Sequence, residues 1–408
     1  MHAASTLGLY VTAEPIARAP AYSRTRGEEG GVGVSAIRPG CDRGKPAPDL
    51  DEAVSAITRL GVRFEFLVGT WWGAGMSALG QTMEPAASLL NYDPQLAHEA
   101  QWKMVAPGGD HDEQVRSAIA SLCDRYRPSG ICLTHARYKH AADLNGLFTT
   151  ADGPFDAAMA ENGFTPSRLA AMLGKLGQRL QGISPATAAG TTLIGFLDAI
   201  TDSDDFSRWF DFRCRQVTAA VGGIFSPSRQ RHPETKFGTN AMGPLFSRLC
   251  GQDYRQLAIV CDFIQPLLGY MRWHVLQPIY AWAALLHERS STLDPRAALI
   301  LSARLFGFDS AELELDWKHR HQSTEGAESA VIAMVRRQLG AMPDLSSARV
   351  CPVLRGQDLA PQTTESLVDL VRDHGFPTIF FQGADNIPSQ NSARKVAPAP
   401  IPTPETSV

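Results

Sequence analysis

Short apolar runs rich in β-branched and aromatic residues recur along the chain, separated by stretches with the 3.6-residue period of amphipathic helices. Eight runs stand out: residues 7–13 (LGLYVTA), 62–69 (VRFEFLVG), 102–107 (WKMVAP), 130–137 (GICLTHAR), 236–242 (KFGTNAM), 262–268 (DFIQPLL), 349–354 (RVCPVL) and 378–382 (TIFFQ). Helical periodicity over 51–60, 112–126 and 364–374 ends each time near a glycine or proline that precedes the next run. Strands alternating with helices predict a parallel sheet, because a parallel return needs a crossover. Eight such units predict an α/β fold, a (β/α)8 barrel of TIM type spanning residues 1–386.

Two connections are too long for single helices. After strand four, about 139–235 carries helical patterns at 166–181, 185–200 and 204–225. After strand six, about 269–347 carries patterns at 274–287, 295–305 and 325–339. Both insertions leave the C-terminal ends of strands, where barrel enzymes build their sites, so they are expected to wall or roof a pocket. Residues 387–408 read as a Pro/Ser/Ala-rich polar tail with too little apolar surface to offset the entropy of ordering it.

Charge and composition then remove whole classes of function. In 408 residues, Lys+Arg 38 against Asp+Glu 42 leaves −4, with no basic run, so an electrostatic footprint for nucleic acid is missing. No stretch reaches the roughly 18 apolar residues of a membrane span. The N-terminal residues lack a charged segment followed by an apolar one, which predicts a cytoplasmic protein. The seven cysteines form no C-x-x-C and sit mostly in apolar runs, as buried thiols do. Gly31–Val32–Gly33, placed in a loop, and Gly73–Ala74–Gly75 are isolated Gly-x-Gly pairs, so no dinucleotide cofactor is predicted. His319 and His321 are two apart and fall on different helix faces, and no metal site is predicted. No Gly-x-Ser-x-Gly elbow is present for a nucleophilic serine.

Residues 112–138 (DEQVRSAIASLCDRYRPSGICLTHARY) resemble a helix-strand unit of bacterial glycoside-hydrolase-like barrel proteins, which typically carry a strand of the type DGIHLDxxRYP. The stretches 206–213 (FSRWFDFR), 251–254 (GQDY) and 262–270 (DFIQPLLGY) also look like pieces of that group. The resemblance runs patchily over about 100–270 and implies a barrel acting on sugars. One departure is chemical: such barrels often end strand four with an aspartate, whereas this chain has Thr134, which cannot serve as a carboxylate nucleophile or acid.

Polar residues near the C-terminal ends of different barrel strands can converge on one mouth. Glu65 lies between Phe64 and Phe66, so it must be paired, directed into a polar interior, or raised in pKa, as a general acid would be. His135 is a candidate acid/base because imidazole titrates near neutrality, and Asp385 in a turn-like stretch is the second candidate carboxylate. For each the structural alternative is a partner in an ion pair, a backbone bond, or an Asx turn. Strand alternation sends Thr134 and His135 to opposite faces unless the strand has already ended.

Tyr10, Asn240, Gln265, Tyr270 and Gln382 supply hydroxyl and amide groups suited to a polyhydroxylated ligand, and Arg137 and Arg355 to an oxyanion. Trp71 and Trp72 follow strand two among glycines and are candidate stacking platforms or loop anchors. Together these predict a carbohydrate-active, glycoside-hydrolase-like enzyme using carboxylate acid/base chemistry on a small-molecule or sugar substrate, a pattern compatible with a homo-oligomer. Two other readings stay open: a lyase, isomerase or cyclase acting on a small polar metabolite, and a carbohydrate-binding barrel without turnover.

Overall fold

The computed structural model describes residues 6–10, 32–37, 50–59, 63–71, 84–85, 104–139, 141–150, 154–184, 191–319, 328–346, 349–355 and 359–382. Eight parallel strands make a curled sheet: β1 (Thr6–Tyr10), β2 (Val32–Ile37), β3 (Phe64–Gly69), β4 (Gly130–Thr134), β5 (Lys236–Met242), β6 (Phe263–Leu267), β7 (Val353–Arg355) and β8 (Thr378–Gln382). Neighbours in sequence are neighbours in space, and β1 pairs with both β2 and β8.

Two strand assignments differ from the sequence expectation. Residues 32–37, read as part of a loop because of Gly31 and Gly33, form β2, with Val34 paired to Phe64 and Gly33 to Gly8. Of the run 102–107, the described residues 104–107 do not enter the sheet. Met104 and Val105 are buried beside the end of β3, where the Val105 N–H donates to the Trp71 carbonyl at 2.8 Å. Pairing between two existing strands outweighs the poor strand propensity of glycine in the first case. In the second, no sheet edge is left for a residue run between β3 and β4, which pair directly.

Period-two alternation divides the side chains of β3 to β8 between two cores. Leu67, Cys132, Phe263, Cys351, Val353 and Phe380 pack on the concave interior of the sheet. The residues between them, among them Phe66, Ile131, Leu133, Phe237, Ile264, Leu354 and Phe381, join the larger core under the helices. Burial on both faces explains why these strands read as apolar runs rather than as apolar/polar alternation.

The helices α1 (Leu50–Arg59), α2 (Asp110–Tyr126) and α12 (Pro361–Asp373) are the crossovers before β3, β4 and β8. The β4–β5 connection carries α3 (Pro154–Glu161), α4 (Pro166–Leu180), α5 (Leu193–Thr201) and α6 (Asp205–Arg231). Within α6, Pro227 cannot donate to the Gly223 carbonyl four residues earlier. That acceptor is taken instead by Arg116 Nε at 3.2 Å, which ties α6 to α2. Short helices α7 (Pro244–Ser247) and α8 (Tyr254–Val260) lead to β6. A π-helix (Met271–Leu276), α9 (Gln277–Arg289), α10 (Pro295–Leu305) and α11 (Glu328–Gly340) fill the β6–β7 connection. A two-residue antiparallel pair joins Glu84–Pro85 to Thr149–Thr150. No helix among the described residues is long and apolar enough to cross a membrane.

Gly238 on β5 shows how tightly the interior is filled. A Cβ there would stand 2.4 Å from the Phe263 ring and from the Phe263 carbonyl, so only glycine leaves room for that ring. Gly174 in α4 has nothing within 4 Å of the same position. Gly238→Ala is therefore expected to destabilise the fold by about 2–3 kcal/mol through overpacking. Gly174→Ala should stabilise it by about 0.5–1 kcal/mol through helix propensity. Urea unfolding midpoints of the two variants check both signs.

Candidate functional site

The polar residues that the sequence singled out separate into an interior group and a group at the C-terminal ends of the strands. In the interior, the Gln265 amide is fully buried at the centre of β6. Its Oε1 accepts from Asn240 Nδ2 on β5 at 3.0 Å and from Cys132 Sγ on β4 at 3.2 Å, and its Nε2 donates to Glu65 Oε2 on β3 at 3.2 Å. Four strands are thus joined by one side chain. Glu65 is the second residue of β3, four positions before its C-terminal end, which is about 13 Å along a strand. Of the environments expected for it, Glu65 has a partner and an inward direction: it is half-buried and leans over Gly130, where any Cβ would meet its Cγ at 2.9 Å. Burial pushes the Cys351 thiol up to about 12 and the Cys132 thiol far up, with the Glu65 charge acting in the same direction. Both are neutral thiols and poor nucleophiles.

At the other end of β4 the strand stops at Thr134, and His135 takes the left-handed conformation, φ 61°. Pleat alternation no longer governs the pair, so Thr134 is buried while His135, half-buried, turns out of the strand at its C-terminal end. Non-glycine residues occupy this region at a cost of order 1 kcal/mol, and they gather at functional sites. Arg137 follows, but it is buried and donates from Nη1 to the Tyr138 carbonyl at 3.1 Å.

Tyr270 and Arg355 meet at the ends of β6 and β7. The backbone reaches them through Gly269, where a Cβ would lie 2.1 Å from the Arg355 nitrogen, and the Gly269 N–H donates to the Val353 carbonyl at 3.2 Å. The Arg355 guanidinium is 6.0 Å from the centre of the Tyr270 ring, which stacks on His274 at 4.7 Å and 22°. His274 belongs to the π-helix, a distortion often found at functional sites because it offsets one side chain from the regular helix face. Arg272 of the same turn lies 4.1 Å over the Trp273 ring.

Trp71 is an anchor and has no free face for stacking. It is wholly buried, and its Nε1 donates to Asp112 Oδ1 at 2.7 Å, while the Gly108 N–H donates to Asp112 Oδ2 at 2.8 Å. Beside it, His111 Nε2 lies 2.9 Å from the Thr70 carbonyl. The first turn of α2 therefore holds the segment that leaves β3. Trp72 and Asp385 lie outside the described residues. Tyr10 and Gln382 end β1 and β8 and are directly paired there. Among the described residues, no group of three or more His, Cys, Asp or Glu is placed to hold a metal ion.

Sequence reasoning missed Arg213 of α6. It is fully buried, its guanidinium lies 4.0 Å over the Tyr138 ring, and Nη1 donates to the carbonyls of Leu147 (2.9 Å) and Leu249 (3.1 Å). Burial pushes its pKa down to about 10, so it is still a cation at neutral pH. It fastens the chain after β4 to the segment before α8. The run of aromatic residues around it, Trp209, Phe210 and Phe212, gives a sequence no reason to place a charge inside.

No family model matches the chain, and no curated protein matches it. Among solved structures it is similar to the PgaB (BpsB) glycoside hydrolase domain from Bordetella bronchiseptica, at 12% identity and TM-score 0.46, with 94% of each chain covered. It is also similar to a chitinase from Chromobacterium violaceum (9%, TM-score 0.36, 96% of this chain and 97% of that one). A third is a β-galactosidase from Rahnella sp. R3 (13%, TM-score 0.35, 93% and 71%).

The Asp112 anchor gives a pH-dependent signature. Burial raises its pKa above 3.8, partly opposed by the bonds from Trp71 and Gly108. Between 3.8 and the raised value the folded state holds more proton than the unfolded state, so the contribution of Asp112 to stability falls as pH rises, by about 1.4 kcal/mol per unit of displacement. Urea midpoints of the parent and Asp112→Asn, compared from pH 3.5 to 7, should show the parent losing ground to the variant as pH rises. A parent that gains on it would mean that the hydrogen bonds outweigh burial.

Proposed function

We propose that this chain is a carbohydrate-active enzyme of glycoside-hydrolase-like type, built as a (β/α)8 barrel over residues 1–386, with its reaction at the C-terminal ends of the strands. The insertions of about 139–235 and 269–347 wall this site. The observation that carries the reading is His135: a half-buried imidazole in a left-handed backbone, directly beyond a parallel strand. The resemblance of residues 112–138 and 262–270 to glycoside-hydrolase-like barrels supports the sugar as substrate class.

In this reading His135 moves a proton to or from the glycosidic oxygen, with Asp385, three residues beyond β8, as the partner carboxylate. Tyr270 presents a ring face to a sugar, and Arg355, Gln382 and Tyr10 bind its oxygens. Asn240, Gln265 and Glu65 support the site from within, because their mutual bonds fix the spacing of β3, β5 and β6. The substrate is a small molecule or oligosaccharide.

A second reading is favoured by one specific observation. His135, Arg137, Tyr270 and Arg355 stand at the described strand ends. One imidazole with cationic partners suits proton abstraction in a lyase, isomerase or cyclase better than a carboxylate pair. The products separate the two: hydrolysis releases a reducing end with incorporation of solvent oxygen, and elimination leaves an unsaturated product.

A panel of aryl glycosides and oligosaccharides tests both. His135→Gln is expected to lower kcat by about 100-fold or more on whichever substrate is turned over. His135→Gly is expected to be as inactive, yet at least as stable to urea as the parent, because glycine carries no left-handed strain. Parental turnover in the glutamine variant would remove His135 from the chemistry, and a glycine variant that unfolds more readily would contradict the left-handed strain at this position.

A further inference from the structure

The Thr134 and Ala136 carbonyls on either side of His135 are each held by a buried polar side chain from another part of the chain. On one side, Thr70, wholly buried just beyond β3, directs two donors at the Thr134 carbonyl: its N–H at 3.1 Å and its Oγ1 at 2.9 Å. Thr70 is itself fixed, because its own carbonyl lies 2.9 Å from His111 Nε2 at the start of α2. On the other side, Gln252, also wholly buried, donates from Nε2 to the Ala136 carbonyl at 3.1 Å and to the Asn240 carbonyl at 2.9 Å. Its Oε1 accepts the Met242 N–H at 2.8 Å, so the amide is locked to the last turn of β5 and cannot rotate away.

We infer that Thr70 and Gln252 are positioning residues that hold His135 in its left-handed conformation, and hence aim its imidazole, by fixing the peptide group before it and the peptide group that follows Ala136, so that the chain is clamped on both sides of residue 135. The inference rests on the reading of His135 as the proton-transfer group, but its physical content is conformational. A left-handed non-glycine residue returns to the extended or right-handed region unless its neighbours over-determine it. Here three donors, two on one side and one on the other, do so. Their anchors lie at the ends of β3 and β5, the two strands that flank β4. The Thr70 N–H bond is the last rung of the β3–β4 ladder, closing the Gly69–Thr134 pair, whereas the Thr70 Oγ1 and Gln252 Nε2 bonds lie outside the residue-by-residue pairing of β3, β4 and β5. These two side-chain bonds are spent on the geometry of residues 134–136.

The test is made on the substrate-free full-length protein, by NMR couplings that report φ at residue 135. Thr70→Val keeps the shape and the backbone N–H but loses the hydroxyl donor. Thr70→Ser keeps the donor. Gln252→Glu keeps the acceptor for Met242 and loses the donors to Ala136 and Asn240. The couplings at residue 135 are expected to leave the left-handed range in Thr70→Val and in Gln252→Glu and to stay at the parental value in Thr70→Ser. Unchanged couplings in Thr70→Val, or the same shift in Thr70→Ser, would overturn the role of Thr70. Unchanged couplings in a folded Gln252→Glu would overturn that of Gln252. If the glutamate variant does not fold, the Val/Ser pair decides the inference alone. Because no turnover is measured, a failure here is distinct from a failure of the catalytic assignment, which His135→Gln reads separately.

Discussion

Polar groups enclosed between parallel strands have no water to bond to, and the Gln265 amide is what this sheet uses to satisfy them. One oxygen serves the Asn240 amide and the Cys132 thiol, and one nitrogen serves the Glu65 carboxylate, so three strands other than its own are held at fixed distance across the interior. Leaving any of these groups unpaired would cost about 1–3 kcal/mol, more for the carboxylate. The glycines at 130 and 238 belong to the same constraint. One gives Glu65 its space and the other gives Phe263 its space, and larger residues at either position would push the interior side chains out of register.

With spacing fixed inside, the C-terminal ends can carry conformations that a sheet alone would not support. His135 in the left-handed region and the π-turn at His274 both lie one to seven residues beyond strand ends, and the residues on either side of His135 are braced by buried polar side chains from neighbouring elements. The insertions contribute to this bracing. Arg213 of α6, stacked on Tyr138, pins the chain after β4, and the Tyr138 N–H donates to the Cys250 carbonyl at 2.9 Å. A buried cation with unpaired Nε and Nη2 is a costly way to fasten a loop. That cost is consistent with a loop whose position matters for chemistry.

Much of the framework was legible in the chain because local patterns and tertiary structure agree. Helices over 166–180 and 295–305 start at proline after Thr165 and Asp294, whose side chains cap them, and the strands over 64–69, 236–242 and 378–382 are apolar runs that the sheet buries. Residues 32–37 were not legible, since glycines hide a strand that exists only because β1 and β3 pair with it. The interior bond between Glu65 and Gln265 spans 200 residues and leaves no spacing signal. His135 was legible as a candidate by type and position, but not its backbone conformation, which depends on Thr70 and Gln252. At Trp71 the glycine-rich surroundings left both a stacking platform and a loop anchor open, and a carboxylate 41 residues later, which no spacing signals, makes it the anchor.

In the proposed function the reaction takes place at the C-terminal ends of the strands around His135, rather than at the Glu65 end of the sheet. The most direct measurement is the map of backbone amide shifts when mono- and oligosaccharides are titrated into isotopically labelled protein. Perturbations are expected to concentrate at residues 134–138, 269–274 and 355. Perturbations concentrated at residues 128–130, 235–237 and 262–263, at the opposite ends of the same strands, or none with any sugar, would contradict it.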